Sequence, residues 1–246
     1  MSKKWFMILG IFLVLSMFSG FVKGELVVDL VSIPSNLNSI ESELNNIFDG
    51  YCLYSDPNGW NTINNSTSYI KFDVDSPIYF NSLTITQVNE TQGNVSFTIG
   101  DIPYYKSPGD YTLICNIFDD VNTSQGSDDI TINTLLASDV NVTSLSFGST
   151  LPGSIGYTPY FKVENTGNVD FNSSWKGTNF TNVIQIPINN CNITTTLGWV
   201  IPLTEEFQQF DKSILVTYSY IARFSLYVPF GTPSGIYTNT FIHGVS

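Results

Sequence analysis

Apolar side chains recur on every second residue in long stretches of this 246-residue chain. In LPGSIGYTPYFKVENTGNVDF, residues 151–171, Ile155, Tyr157, Phe161 and Val163 share one parity; Gly156, Thr158, Lys162 and Glu164 share the other. Successive side chains of a strand point to opposite faces, so this spacing predicts a strand buried on one side. Asn165-Thr166-Gly167-Asn168 interrupts it and reads as a tight turn, because Asn and Gly adopt positive φ at little cost. Val169, Phe171 and Trp175 then resume one parity.

The same pattern appears in Val95, Phe97 and Ile99, in Tyr111, Leu113, Cys115 and Ile117, and in Tyr218, Tyr220, Phe224, Leu226 and Val228. Gly, Pro, Asn and Asp punctuate these runs. Strands at this frequency predict an all-β chain built as sandwiches. Helical spacing is confined to Leu37, Ile40, Leu44 and Ile47. It leaves two readings, a short helix or a loop entering a strand near 46–55; Tyr51-Cys52-Leu53-Tyr54 favours the strand.

Met1–Gly24 stands apart. Lys3 and Lys4 precede the uncharged run Trp5–Val22, the layout of a secretory signal. An uncleaved anchor is the alternative, since the run is just long enough to span a bilayer. Both readings export the remainder, and residues 5–22 are the expected route to a membrane.

The chain carries a net charge of −12; without the leader's three lysines, six basic against 21 acidic residues leave −15. Such a surface repels phosphate backbones and anionic lipid, which excludes nucleic acid as an expected partner. Charged residues are only 12% of the chain, so the solvent faces must be largely Ser, Thr and Asn. The 222 residues after the leader suit two sandwiches, expected at 25–136 and 137–246. No Gly/Pro linker separates Leu135-Leu136 from Val140 and Val142, which predicts a stiff tandem.

An internal echo relates the halves. Gly109-Asp110-Tyr111-Thr112 and Gly235-Ile236-Tyr237-Thr238 each open a late strand, where a tyrosine hydroxyl can bond to backbone. The first is followed by another strand, Ile130 to Leu136; the second runs to Ser246. If the two are equivalent, the second half has an open edge able to recruit a strand, for instance from a neighbour's N-terminal segment. The other reading makes 235–243 itself the last strand of a complete sandwich.

YFKVENTGNVDF resembles the central hairpin of the CARDB-type Ig-like domains of archaeal and bacterial surface proteins. SPGDYTLIC and VPFGTPSGIYTNTF resemble late strands of related secreted Ig-like domains, and YCLYSDPNGW with Cys115 is similar to the Cys…Trp…Cys pattern of immunoglobulin sandwiches. Trp60 lies only eight residues after Cys52, a departure from that pattern, and residues 176–215 do not parse into strands. The resemblance implies surface structural or adhesive modules, with an archaeal source as the leading reading.

Cys52 and Cys115 sit in predicted strands, 63 residues apart. In an exported chain they bridge the two sheets, at a gain of about 4 kcal/mol on the chain-entropy model, or else remain buried thiols. Cys191 has no partner in its half and reads as a buried thiol or an intermolecular disulfide. Glycosylation sequons stand at Asn64, Asn65, Asn89, Asn94, Asn122, Asn141, Asn172, Asn179 and Asn192. These nine exceed the roughly five that composition alone would give, although an Asn-rich composition explains much of the excess.

DDVNTSQGSDD gathers Asp119, Asp120, Asp128 and Asp129 near a hairpin tip. Converging carboxylates hold calcium, but the EF-hand spacing is not met and a solvated acidic turn is the alternative. No other metal spacing and no cofactor motif is present. The single histidine, His243, follows Phe241 on the last predicted strand and reads as a packing or surface residue; no enzyme is expected. Trp60, Trp175, Trp199 and the pair Tyr104-Tyr105 are candidates for a flat sugar-binding platform, core packing being the alternative.

Together these features predict a non-enzymatic, extracellular structural or adhesive protein of the cell surface, partnered by other surface proteins or by itself. The competing readings are a secreted carbohydrate-binding module, whose partners are glycans, and an anchored accessory subunit that retains Met1–Gly24.

Overall fold

The computed structural model describes residues 25–72 and 75–246; the leader Met1–Gly24 lies outside them. Two compact units form. One takes in the residues up to Ser35 with Phe48–Ile99 and Tyr111–Ile130; the other takes in Asn36–Ile47, Gly100–Asp110 and Thr131–Ser246. The chain is all-β, two β-sandwiches, and the helical elements among the described residues are 3-10 turns at Phe80–Ser82 and Ile188–Asn190.

The first sandwich is built from β1 (Val27–Ser32), β2 (Asn36–Leu37), β3 (Asn46–Ser55), β4 (Tyr69–Phe72), β5 (Ile78–Tyr79), β6 (Thr84–Gln87), β7 (Gln92–Ile102), β8 (Gly109–Phe118) and β9 (Thr123–Ile132), of which β2 and one end each of β3, β7, β8 and β9 are counted with the second unit. One sheet has the order β1-β3-β7-β6 and the other β2-β9-β8-β4-β5. The alternation in the sequence survives here. Val95, Phe97 and Ile99 of β7 and Leu113, Cys115 and Ile117 of β8 are buried, and their odd-numbered set fills the space between the sheets. Removing each such side chain from water is worth about 1.5–3 kcal/mol. The spacing of Leu37, Ile40, Leu44 and Ile47 forms no helix: Leu37 lies in β2, Ile47 in β3, and Ile40, Leu44 and Ile47 are exposed, so it marks no buried face.

The second sandwich is built from β10 (Ser138–Val140), β11 (Ile155–Tyr157), β12 (Phe161–Asn165), β13 (Phe171–Gly177), β14 (Phe180–Thr181), β15 (Gln185–Ile186), β16 (Cys191–Thr195), β17 (Val200–Pro202), β18 (Gln208–Ile214), β19 (Ser219–Tyr227) and β20 (Phe241–Val245). One sheet runs β10-β12-β19-β16-β17, with β11 also on β19; the facing sheet runs β18-β13-β20; β14 and β15 pair separately. Residues 176–215 thus resolve into short strands whose two- to seven-residue lengths leave little periodicity to read.

Two expectations for residues 151–171 need correction. The first concerns face. Ile155 and Tyr157 are exposed, whereas Phe161 and Val163 are buried. Tyr157 pairs with Ser225 and Phe161 with Ala222, so four steps on one strand oppose three on the other. That extra residue is a bulge, and it flips every side chain beyond it. Pro159 has no N–H to give the ladder, and at the bulge the pairing with Phe224 is closed by Thr158 alone: its N–H donates to the Phe224 carbonyl and its hydroxyl oxygen accepts from the Phe224 N–H, both at 3.0 Å.

The second concerns the turn. β12 and β13 lie in different sheets, so Asn165–Asn168 carries the chain across the sandwich instead of closing a hairpin. None of its residues has positive φ. Gly167 is required for space: a Cβ there would fall 2.2 Å from the Leu135 carbonyl oxygen. All four residues are buried, and their polar groups are satisfied locally. The Asn165 amide donates to the Val169 and Ile214 carbonyls at 2.9 and 3.0 Å and accepts from the Gly167 N–H at 2.9 Å. Asn168 accepts from the Leu135 N–H at 2.6 Å and donates to the Asn133 carbonyl at 2.9 Å.

Candidate functional site

The second sandwich has an open side. In the first, β8 lies between β9 and β4; in the second, β20 pairs with β13 and is the last strand of its sheet. The pairing register is Gly177 with Phe241, Trp175 with His243 and Ser173 with Val245. Ser246 exchanges both backbone hydrogen bonds with Asn172, and the Thr240 carbonyl accepts from the Thr178 N–H. In an antiparallel ladder alternate residues face the partner. The N–H and C=O groups of Phe241, His243 and Val245 therefore turn to the open side. The side chains of Phe241 and Val245 meanwhile pack on the core, and Phe241 stacks on Phe224 at 3.8 Å.

A groove of about 780 Å³ runs between residues 145–152 and 232–239, with Phe180, Ile186, Leu226 and Val228 of the core along it. Leu151 and Ile236 on its rim are 76% and 84% exposed, and Phe230, 82% exposed, stands against Gly153. No charged side chain lines the groove. The sequence already held this signal: residues 140–161 and 224–246 contain no Asp, Glu, Lys or Arg. Tyr237 supports the entry to β20 by donating its hydroxyl to the Pro233 carbonyl at 3.2 Å, the backbone bond expected of that tyrosine.

His243 lies in a buried polar chain. Ser138 Oγ is 3.2 Å from its Nδ1 and Ser173 Oγ 2.9 Å from its Nε2; Ser173 is 2.6 Å from the Tyr220 hydroxyl, to which Trp175 Nε1–H donates at 2.9 Å. One proton order satisfies them all: Trp175 to Tyr220, Tyr220 to Ser173, Ser173 to Nε2, and Nδ1–H to Ser138. Burial pushes the imidazole down to about 4 and the Tyr220 hydroxyl up to about 12. This serine–histidine pair lacks the parts of a nucleophilic site, since Ser173 is fully buried and Nδ1 meets a serine where a carboxylate would be needed.

Cys52 on β3 and Cys115 on β8 form a disulfide that joins the two sheets of the first sandwich, with Cα atoms 6.4 Å apart. Cys191 is a free, buried thiol, pushed by burial up to about 12.

The four aspartates near the β8–β9 turn do not converge. Asp119 closes the turn by accepting from the Val121 N–H at 2.6 Å and from Asn122. Asp128 and Asp129 lie far along β9, where they accept from the Ile33 N–H at 3.0 Å and from Thr112 at 2.7 Å. Among the described residues no group of three or more His, Cys, Asp or Glu side chains comes together to hold a metal.

The aromatic platform does not form either. Trp175 is in the core, Trp199 packs on Phe210 at 5.3 Å, and the Trp60 carbonyl accepts from Tyr54. Tyr104 and Tyr105 meet edge to face at 84°, not in one plane. An aromatic cluster the sequence did not reveal is Tyr157 and Tyr160, which hold the Arg223 guanidinium over their rings at 4.3 and 5.0 Å. Of the sequons, Asn64, Asn65, Asn89 and Asn141 are exposed, and Asn94, Asn122, Asn172, Asn179 and Asn192 are half-buried.

No protein family and no curated protein matches the chain. Among solved structures it is similar to the CsuC–CsuE chaperone–tip adhesion subunit pre-assembly complex of the archaic chaperone-usher Csu pili of Acinetobacter baumannii. That likeness has a TM-score of 0.40 and 12% identity, over 88% of this chain and 99% of that chain. It is also similar to native E. coli alpha-2-macroglobulin, at TM-score 0.30 and 6% identity, over 89% of this chain and 17% of that one. Neither likeness, at these values, bears on what this chain does. The resemblance to CARDB-type domains has no family match beside it, and the stretch YFKVENTGNVDF that suggested their central hairpin spans two sheets here.

Proposed function

We propose that this chain is a non-enzymatic extracellular protein of the cell surface, a structural or adhesive component of a surface layer, filament or adhesin. The observation that carries this reading is the Cys52–Cys115 disulfide between the sheets of the first sandwich. Such bridges persist in oxidising compartments and are reduced in the cytosol of most organisms. The export-like leader and the acidic, sparsely charged composition support the same location. The single histidine is committed to a buried packing network, which supports a non-catalytic role.

Labelling of intact cells with a membrane-impermeant amine reagent tests the reading. Modification of this chain without lysis is the expected result; modification only after lysis, or efficient hydrolysis of a glycan, peptide or ester panel by the purified chain, contradicts it. A glycan-binding role is the second reading. Tyr157 and Tyr160, both about half exposed around Arg223, favour it.

A further inference from the structure

The open side of the second sandwich combines features that single-copy packing does not explain. Phe241, His243 and Val245 present unpaired backbone donors and acceptors there. A strand edge of this kind is a template for another strand, and most proteins block it with charge or proline. Neither device is present: from Phe224 to Ser246 the chain has no Asp, Glu, Lys or Arg, and β20 itself holds no proline.

From this geometry we propose that β20 pairs antiparallel with β20 of a second copy of this chain, joining two β18-β13-β20 sheets across a two-fold axis. It deepens the surface-structural reading by naming a partner and rests on that reading only for its biological setting. Two arguments select a second copy. The first is register. With His243 opposite its own counterpart, Phe241 of one copy lies opposite Val245 of the other, and every outward N–H and C=O of the strand finds a mate. A two-fold contact must be self-complementary in this way. The second is charge. Copies of a chain with net charge −12 repel one another over most of their surface. β20 and the chain leading to it, residues 224–246, are free of Asp, Glu, Lys and Arg, so approach along this edge is least opposed. The same segment carries the exposed Phe230 and Ile236.

Sedimentation velocity of the full chain over a concentration series, beside Val245→Pro, tests the pairing. The Val245 N–H faces the open side, so proline removes one outward donor and leaves the β13 ladder intact. The expected result is a reversible wild-type dimer and a folded, monomeric variant. Amide hydrogen exchange on the wild type gives a reading independent of the variant's folding. Protection at Phe241, His243 and Val245 should rise with concentration. A monomeric wild type at all concentrations, a dimer that survives Val245→Pro, or fast exchange of those amides in the dimer overturns the proposal. Concentration-independent protection in a monomer also overturns it, and marks a strand supplied by the same chain. These readouts report association alone, so the pairing and the surface location can each fail without the other.

Discussion

The Ser173 hydroxyl lies 2.9 Å from Nε2 of His243, inside the second sandwich, where burial holds the imidazole at about 4. A histidine kept neutral by the fold makes stability depend on pH. Its contribution is fully present above the unfolded value near 6.5 and is lost as pH falls from there toward about 4, because the unfolded chain then binds the proton more readily. The loss amounts to about 3 kcal/mol over that window. Urea unfolding of the wild type and His243→Gln should diverge in slope between these limits, the variant losing less stability on acidification. Parallel pH profiles would show that the ring titrates normally in the fold.

The disulfide should matter to the first sandwich. Cys52→Ala with Cys115→Ala, or reduction under mild denaturant, is expected to cost about 2–5 kcal/mol, read as a lower unfolding midpoint. Reduction should leave Cys191 unmodified by an alkylating agent until the chain unfolds, since that thiol is buried and its proton tightly held. Rapid alkylation of native Cys191 would contradict its placement.

Gly167 provides a test of the sheet-to-sheet turn. Gly167→Ala drives a methyl into the Leu135 carbonyl and the Ala137 N–H region, and is expected to destabilise by about 1–3 kcal/mol. Asn165→Ala leaves two carbonyls and one N–H without partners and should cost at least as much. If Gly167→Ala were neutral in thermal unfolding, the close approach assigned to this turn would be wrong.

The glycan reading is checked at Tyr157 and Tyr160. If those rings bind sugars, the wild type should give signals on a glycan array that Tyr157→Ala and Tyr160→Ala abolish. An array with no signal for the wild type removes that reading.

Half-buried strands were the legible part of the sequence, because their period of two is local. Val95, Phe97 and Ile99 needed only their own spacing to be placed inward, and so did Leu113, Cys115 and Ile117. Non-local pairing was not legible. Pro159 is the local sign of the bulge, but that the bulge turns Ile155 outward appears only from the pairing of both segments with β19. Asn165-Thr166-Gly167-Asn168 looks like a hairpin turn because its composition is that of one; which sheet each flanking strand joins is decided by β19 and β18, far along the chain. The partners of His243 were equally hidden, since Ser138 and Ser173 reach it only through tertiary packing. The charge-free segments were visible as composition, but their meeting around one groove was not.

Mass spectrometry of the native protein, recovered without reductant from the culture surface fraction, tests the central claim most directly. The account predicts a chain in that fraction with Cys52 and Cys115 oxidised to one another and Cys191 as a free thiol. A chain recovered from the cell interior with all three cysteines reduced would contradict it.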